Sequence, residues 1–239
     1  MKDFPSRRLG RALAALALAG CAPAAWANLV SNGSFELTSA TTTSFFNSVT
    51  VNNWSNSDIG EALVMPSWYT NGYLFPGVGV AGPLPQTSPD GGNFVFSDGN
   101  YHNSPIQQTI TGLSPGGAYK LTFWQALAQD TEPNVTIPGP VTGFWHVSLG
   151  SFALNSSFMS GNGATLTISP WQQQTMIFKA TSSTEVLSFL SVGTGDPPLV
   201  FLDGISLAPI PEPETLALMG IGGLALLLRL RRERRALQR

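Results

Sequence analysis

The sequence predicts an all-β protein: an antiparallel jelly-roll β-sandwich over residues 28–209, flanked by an N-terminal signal peptide and a single C-terminal transmembrane helix. Three observations predict it. Short apolar runs inside 28–209 alternate with period two, clusters of turn residues break them, and no stretch there sustains the periodicity of a helix. Many short strands at that spacing imply one sandwich or jelly roll. A domain of about 180 residues buries a core without disulfides or an obligatory metal.

Residues 1–27 read as a secretory signal. A basic region from Lys2 to Arg11 precedes the apolar run Ala12 to Ala19 and the small-x-small site Ala25-Trp26-Ala27, so cleavage leaves Asn28 first. Leu18-Ala19-Gly20-Cys21 also resembles a bacterial lipobox, in which the cysteine is acylated and becomes residue one. Cys21 is the sole cysteine, so ordinary cleavage leaves no disulfide, thiol nucleophile or thiolate metal site.

The strands follow in order. Phe94 to Phe96, Ile106 to Ile110, Tyr119 to Gln125, Phe144 to Leu149, Ala164 to Ile168, Gln174 to Ala180 and Val186 to Val192 are strand-like runs, and Leu199 to Leu207 is one broken at Asp203-Gly204. Ser114-Pro-Gly-Gly117, Ser160-Gly-Asn-Gly163 and Gly193 to Pro198 supply turns between them. Two long stretches, Ser55 to Asn93 and Ala128 to Gly143, read as irregular, and loops of that length are usually functional or disordered. The first holds Trp68, Tyr69, Tyr73 and Phe75, which points to an ordered cap over the sandwich.

At the other end, Pro211-Glu212-Pro213-Glu214 precedes the uncharged run Thr215 to Leu228 and an arginine cluster, Arg229 to Arg235. Arginines on one side only orient such a helix with that end in the cytoplasm, which puts the domain outside. The run covers about 21 Å at 1.5 Å per residue, against about 30 Å of hydrocarbon. It spans only by snorkelling its arginines or thinning the bilayer.

Charge excludes one class of partner. Between Asn28 and Pro209 the only cations are Lys120 and Lys179, set against ten carboxylates, a net charge of −8. Such a domain cannot displace phosphate counterions, so nucleic acid is excluded. Catalytic signatures are also missing. There are two histidines, His102 and His146, and no nucleophile elbow, zinc-protease helix or phosphate loop. Asp98 and Asp130 could be paired as a glycosidase couple, where separation decides. No residue is assigned a catalytic role, and the protein is expected not to be an enzyme.

Aromatic rings stack on pyranose C–H faces, while amides and carboxylates bond the hydroxyls. Trp54, Trp68, Tyr69, Tyr73, Tyr101 and Trp145 are the candidate rings, whereas Trp124 and Trp171 fit core packing. Trp68, Tyr69 and Tyr73 form the expected ligand site, because three rings within six residues of one long loop are hard to bury together.

Two resemblances extend this reading. Pro211 to Arg235 resembles the PEP-CTERM sorting signal of Gram-negative bacteria that make extracellular polysaccharide. In that family the Pro-Glu-Pro motif, a short helix and an Arg cluster form a tag handled by a membrane enzyme, exosortase. The resemblance implies recognition at Pro211, Glu212 and Pro213, an Arg cluster including Arg229, Arg231 and Arg232, removal of residues 210–235 near the motif, and exosortase and the Sec machinery as partners during export. The domain would be anchored on the periplasmic side of the inner membrane, then reach the cell surface or exterior.

Asn28 to Glu36, Ile106 to Ile110, Gly112 to Phe123, Trp171 to Ala180, Val186 to Phe189 and Phe201 to Leu207 resemble the galactose-binding-domain-like jelly roll found in carbohydrate-binding modules. That resemblance implies a structural Ca²⁺ held by Glu36 and Asp203, where the first strand meets the last. The expected function is a non-enzymatic exported protein that binds or organises extracellular polysaccharide. The alternatives are a structural protein–protein matrix component without a sugar site, and a glycoside hydrolase.

Overall fold

The computed structural model describes residues 27–41, 44–45, 48–56, 62–65, 73–75, 78–80, 88–100, 104–131, 139–162, 169–195, 198–211 and 213–236. The expected signal segment lies outside these apart from Ala27, as does the expected strand Ala164 to Ile168. Asn28–Ile210 forms one compact unit.

Its strands are β1 (Ser44–Phe45), β2 (Ser55–Asn56), β3 (Ala62–Met65), β4 (Tyr73–Phe75), β5 (Val78–Val80), β6 (Phe94–Asp98), β7 (Ile106–Thr111), β8 (Ala118–Thr131), β9 (Pro140–Leu149), β10 (Phe152–Asn155), β11 (Met159–Asn162), β12 (Gln172–Lys179), β13 (Thr184–Thr194) and β14 (Pro198–Pro209). Among the described residues they form two antiparallel sheets. One has eight strands in the order β1-β3-β6-β14-β8-β5-β4, with β12 also on β8; the other has six in the order β10-β9-β13-β7-β2, with β11 also on β9.

Alternation explains the inner faces. In β9 the side chains of Val141, Trp145, Val147 and Leu149 are buried, and between them Thr142, Phe144, His146 and Ser148 are half-buried on the outer face. Phe123 of one sheet meets Phe189 of the other edge-on at 5.2 Å, and Trp145 meets Phe189 at 6.2 Å. The indole N–H of Trp145 donates to the Phe201 carbonyl at 3.0 Å, a hydrogen bond between the sheets. The two sheets therefore share one core.

The middle of the eight-stranded sheet departs from this pattern because both of its faces are covered. Phe94, Phe96 and Phe201 are buried on its far side, with Trp171 5.6 Å from Phe94 and 6.0 Å from Phe201. Every residue of β6 is consequently buried.

Both stretches expected to be irregular contain regular structure. β2 to β5 fall inside Ser55 to Asn93, and β8 runs on to Thr131 while β9 begins at Pro140. Strands of two to four residues carry too few apolar positions to show a period.

The second unit includes the helix α1 (Pro213–Ala236). Proline suits its first turn, and arginines in its last turns complement the helix dipole. Arg229 and Glu233 form an exposed ion pair one turn apart at 3.1 Å. Among the described residues no helix is long and apolar enough to cross a membrane. The expected transmembrane helix is therefore not shown: the uncharged run is too short to span unaided, and Gly220, Gly222 and Gly223 dilute it.

Candidate functional site

Two surfaces carry chemistry. The first is an acidic pocket built from three distant parts of the chain. The opening segment turns at Asn32, whose side-chain amide donates to the Leu37 and Asn52 carbonyls and accepts from the Leu37 N–H. Asn32 and Phe35 both have positive φ, and Ile205 N–H donates to the Gly33 carbonyl at 3.0 Å. This turn clips the first segment to β14 and delivers Glu36 to the loop before β6, where its Oε1 accepts from the Asn93 N–H at 2.5 Å.

That loop is Ser88-Pro89-Asp90-Gly91-Gly92, a tight turn closed by Gly91 N–H to the Ser88 carbonyl at 2.9 Å. The Ser88 hydroxyl accepts from the Asp90 N–H and donates to Oδ2 of Asp203. Asp203 lies on β14 opposite Trp124, where the register with β8 shifts before Ser206. Two glycines make the pocket possible. A Cβ on Gly92, at φ 70°, would collide with the Glu36 carboxylate, and one on Gly204, at φ 58°, would come within 2.8 Å of Trp124 and 3.1 Å of Asp90.

Asp203 is fully buried and its Oδ1 has no hydrogen-bond partner. Burial pushes its carboxyl up to about 8; bonds from Ser88 and the Gly204 backbone oppose this, and the charges of Asp90 and Glu36 add to it. A carboxylate with an orphaned oxygen, facing two others, lacks a positive charge. The donors are all oxygen, the chemistry Ca²⁺ prefers, so the residues fit that ion in type. Among the described residues no three acidic, imidazole or thiol groups already stand as a metal-binding set. The structure thus brings Glu36 and Asp203 to one pocket and adds Ser88 and Asp90, whose only sign in the sequence is a dense turn signature.

The second surface is the outer face of the six-stranded sheet. Its strands contain one charged residue, Glu185, which is buried and accepts from the Thr181 and Ser182 N–H groups. The outward positions instead offer hydroxyl, amide and apolar groups. His146 Nδ1 and Asn155 Oδ1 are 2.7 Å apart, Gln107 donates to the Ser188 hydroxyl at 3.3 Å, and Phe144 lies 6.2 Å from the exposed Phe158. At the β7–β2 edge a groove of about 350 Å³ is lined by Ser31, Asn53, Ser55, Gln107, Thr109 and Thr111, among others.

Of the rings expected to face a ligand, Trp68, Tyr69 and Tyr101 lie outside the described residues, and Tyr73 is placed only as the first residue of β4. Trp54 is buried: its indole donates to the Asn32 carbonyl at 2.8 Å and packs 5.3 Å from Phe35. Trp145 is fully buried in the core and cannot stack on a sugar, whereas an edge of Trp54 lines the groove at the β7–β2 edge. Asp98 is buried, with Oδ1 accepting from the Asn100 N–H at 2.8 Å. It sits on β6 and Asp130 on β8, with β14 between them.

Several solved β-sandwiches are similar to the chain. TmCBM61, in complex with β-1,4-galactotriose, is 16% identical, with 77% of this chain and 99% of that one covered, at a TM-score of 0.42. The CBM22-1 xylan-binding domain of Xyn10C from Paenibacillus barcinonensis is 12% identical over 80% and 99%, at 0.41. A family 16 carbohydrate-binding module is 15% identical over 76% and 99%, at 0.37. Among curated protein sequences nothing matches. Residues 209–232 match the PEP-CTERM protein-sorting motif, with Pro211 and Pro213 at its head and Arg229, Arg231 and Arg232 at its tail; the chain carries that sorting signal after its β-sandwich.

Proposed function

We propose that this protein is an exported, non-enzymatic β-sandwich that binds extracellular polysaccharide and is sorted by an exosortase-type system. The carrying observation is the six-stranded sheet's outer face, which presents hydroxyls, amides, a histidine and apolar patches with no exposed charge in its strands. Neutral polar groups interleaved with apolar ones suit a polymer of hydroxyls and C–H faces. Trp68, Tyr69 and Tyr73 are retained in this proposal as additional stacking rings.

Glu36, Asp90 and Asp203 would hold Ca²⁺, which would neutralise the pocket and tie the first segment to the last strand. After Sec-dependent export the sorting helix, too short to span unaided, would insert only by snorkelling its arginines, with Arg229, Arg231 and Arg232 on the cytoplasmic side and the sandwich outside. Its short apolar run makes it a temporary anchor, suited to removal near Pro211, Glu212 and Pro213. The alternative of a structural matrix component is favoured by one feature: Phe152, Leu154 and Phe158 expose apolar surface along the β10 edge.

The test is retention on the producing organism's immobilised extracellular polysaccharide. Thr109→Arg puts a bulky charge into the groove at an exposed site and is expected to reduce retention at least tenfold with unchanged circular dichroism. Equal retention of the variant would remove that face as the site.

A further inference from the structure

We propose that the β12 edge of the sandwich is a self-association surface, where a second copy of the sandwich lays its own β12 antiparallel to the first. The pairing goes beyond glycan binding and does not depend on it.

Edge strands present unpaired N–H and C=O groups, and proteins blunt them by shortness, bulges, proline or charge. Among the described residues the edge strands β1, β2, β4, β10 and β11 are blunted by shortness, with two to four residues each. β12 is not. It has eight residues and pairs with β8 along one side. Its register with β8 runs unbroken from Gln172 to Lys179, so it carries no bulge, and it contains no proline and no charge before its last residue. Gln174, Met176 and Phe178 are buried on the core side, whereas Gln173, Thr175 and Ile177 stand exposed on the outer face.

Charge selects the occupant. The sandwich has a net charge of −8 over residues 28–209, so a second copy is repelled wherever carboxylates face it. No Asp, Glu, Lys or Arg occurs from Pro133 to Phe178, a stretch that holds β9, β10, β11 and all of β12 but its last residue. The other sheet brings part of that neutral stretch to the same side. Ser157, between β10 and β11, donates its N–H to Gln174 Oε1 at 2.9 Å and accepts from Gln125 Nε2 at 2.9 Å. Phe152, Leu154 and Phe158 around this connection are exposed.

The charges nearest β12 tolerate the pairing. Asp203 is buried on β14, the strand beyond β8, and across a two-fold axis it lies five strand spacings, about 24 Å, from its counterpart, well beyond the Debye length of about 8 Å. Lys120, Lys179 and the chain's exit past Ile210 toward Glu212 stand at one end of β12. Antiparallel pairing sets that end against the neutral Gln172 and Gln173 of the other copy. Eight residues extend about 27 Å, and two sheets stacked about 10 Å apart offer an edge on the order of 500 Å² per copy. The total of about 1,000 Å² is the lower bound for a specific interface, so the pairing is weak and reversible. A two-fold axis through both sheets leaves the two six-stranded outer faces pointing the same way, and a polymer held by both gains avidity; this consequence alone rests on the glycan reading.

The hydrophobic core runs from Val30 to Leu207, so residues 28–210 can be tested without the helix, by sedimentation equilibrium in the absence of polysaccharide. The mass should climb from one copy toward two between about 1 and 100 µM. Thr175→Glu and Thr175→Lys, at an exposed site in mid-strand, should each weaken association at least tenfold, because like charges then meet across the new pair of strands. An equimolar mixture of the two variants should restore it. A single-copy mass at every concentration would overturn the proposal, as would association that neither substitution weakens or that the mixture fails to restore. Retention on the immobilised polysaccharide should fall several-fold in each variant and recover in the mixture. Lost association with unchanged retention would overturn the shared face, whereas a wild-type dimer that is not retained would overturn the glycan reading and leave the pairing standing.

Discussion

Replacing Asp203 by Asn keeps the shape of a fully buried side chain and removes its charge. In the wild-type protein without metal, the folded-state carboxyl titrates at about 8 against 3.8 in the unfolded chain. The folded state therefore holds a proton that the unfolded state has lost. Its contribution to stability is complete below pH 3.8 and declines as pH rises towards 8, at about 1.4 kcal/mol per pH unit. Between pH 4 and pH 7 that is roughly 4 kcal/mol, a large part of an ordinary domain's stability.

The substituted amide cannot ionise, so urea unfolding in EDTA, followed by tryptophan fluorescence, should lose this slope in the variant. The measurement compares slopes and is therefore insensitive to any fixed packing cost of the amide. Calcium should reverse the order. At a thousand times its dissociation constant the ion adds about 4 kcal/mol to the wild type and far less to the variant, and its binding at pH 7 should release about one proton. Identical pH slopes in the two proteins would refute the buried-acid argument. Equal stabilisation by calcium would refute Asp203 as a ligand.

Other outcomes are open to measurement. Gly92→Ala forces a Cβ into the space of the Glu36 carboxylate at a positive φ; it should cost about 1–3 kcal/mol and most of the calcium response, read by the same unfolding assay. Trp145→Ala empties a fully buried site and leaves the Phe201 carbonyl without its donor, so a loss of about 3–5 kcal/mol is expected in urea unfolding. Trp68→Ala with Tyr69→Ala should weaken retention on polysaccharide while the domain stays folded, and unchanged retention would reject those rings. Glu212→Ala should block removal of the sorting signal, seen as an intact mass that keeps the residues after Pro211.

The long strands were legible because each has one face on the core. β8, β9, β12 and β13 appear where Tyr119 to Gln125, Phe144 to Leu149, Gln174 to Ala180 and Val186 to Val192 alternate. Trp145 could have been placed correctly by the same rule, since it shares parity with the buried Val147 and Leu149. Trp54 could not, because its burial depends on Phe35 and Phe189, far away in sequence. β10 and β11 pair only along one edge of β9 and carry no apolar period. In the acidic pocket the family resemblance pointed to Glu36 and Asp203, but Ser88 reaches Asp203 across 115 residues, a proximity that the pairing of β6 with β14 creates.

The position of β14 also has a mechanical side. The strand that continues toward the sorting helix is an interior strand, bonded to β8 over Pro198–Pro209 and to β6 from Leu199 to Leu202. Farther along it the flank is the opening segment, through Leu29 N–H to the Leu207 carbonyl and Ile205 N–H to the Gly33 carbonyl. Were the domain anchored through this end and holding a polymer, as proposed above, drag on the polymer would pull along this strand. The rungs on both sides are then loaded together in shear, where a tether on an edge strand would peel them one after another. A domain held in this way should yield to flow at a higher force than its equilibrium stability alone suggests.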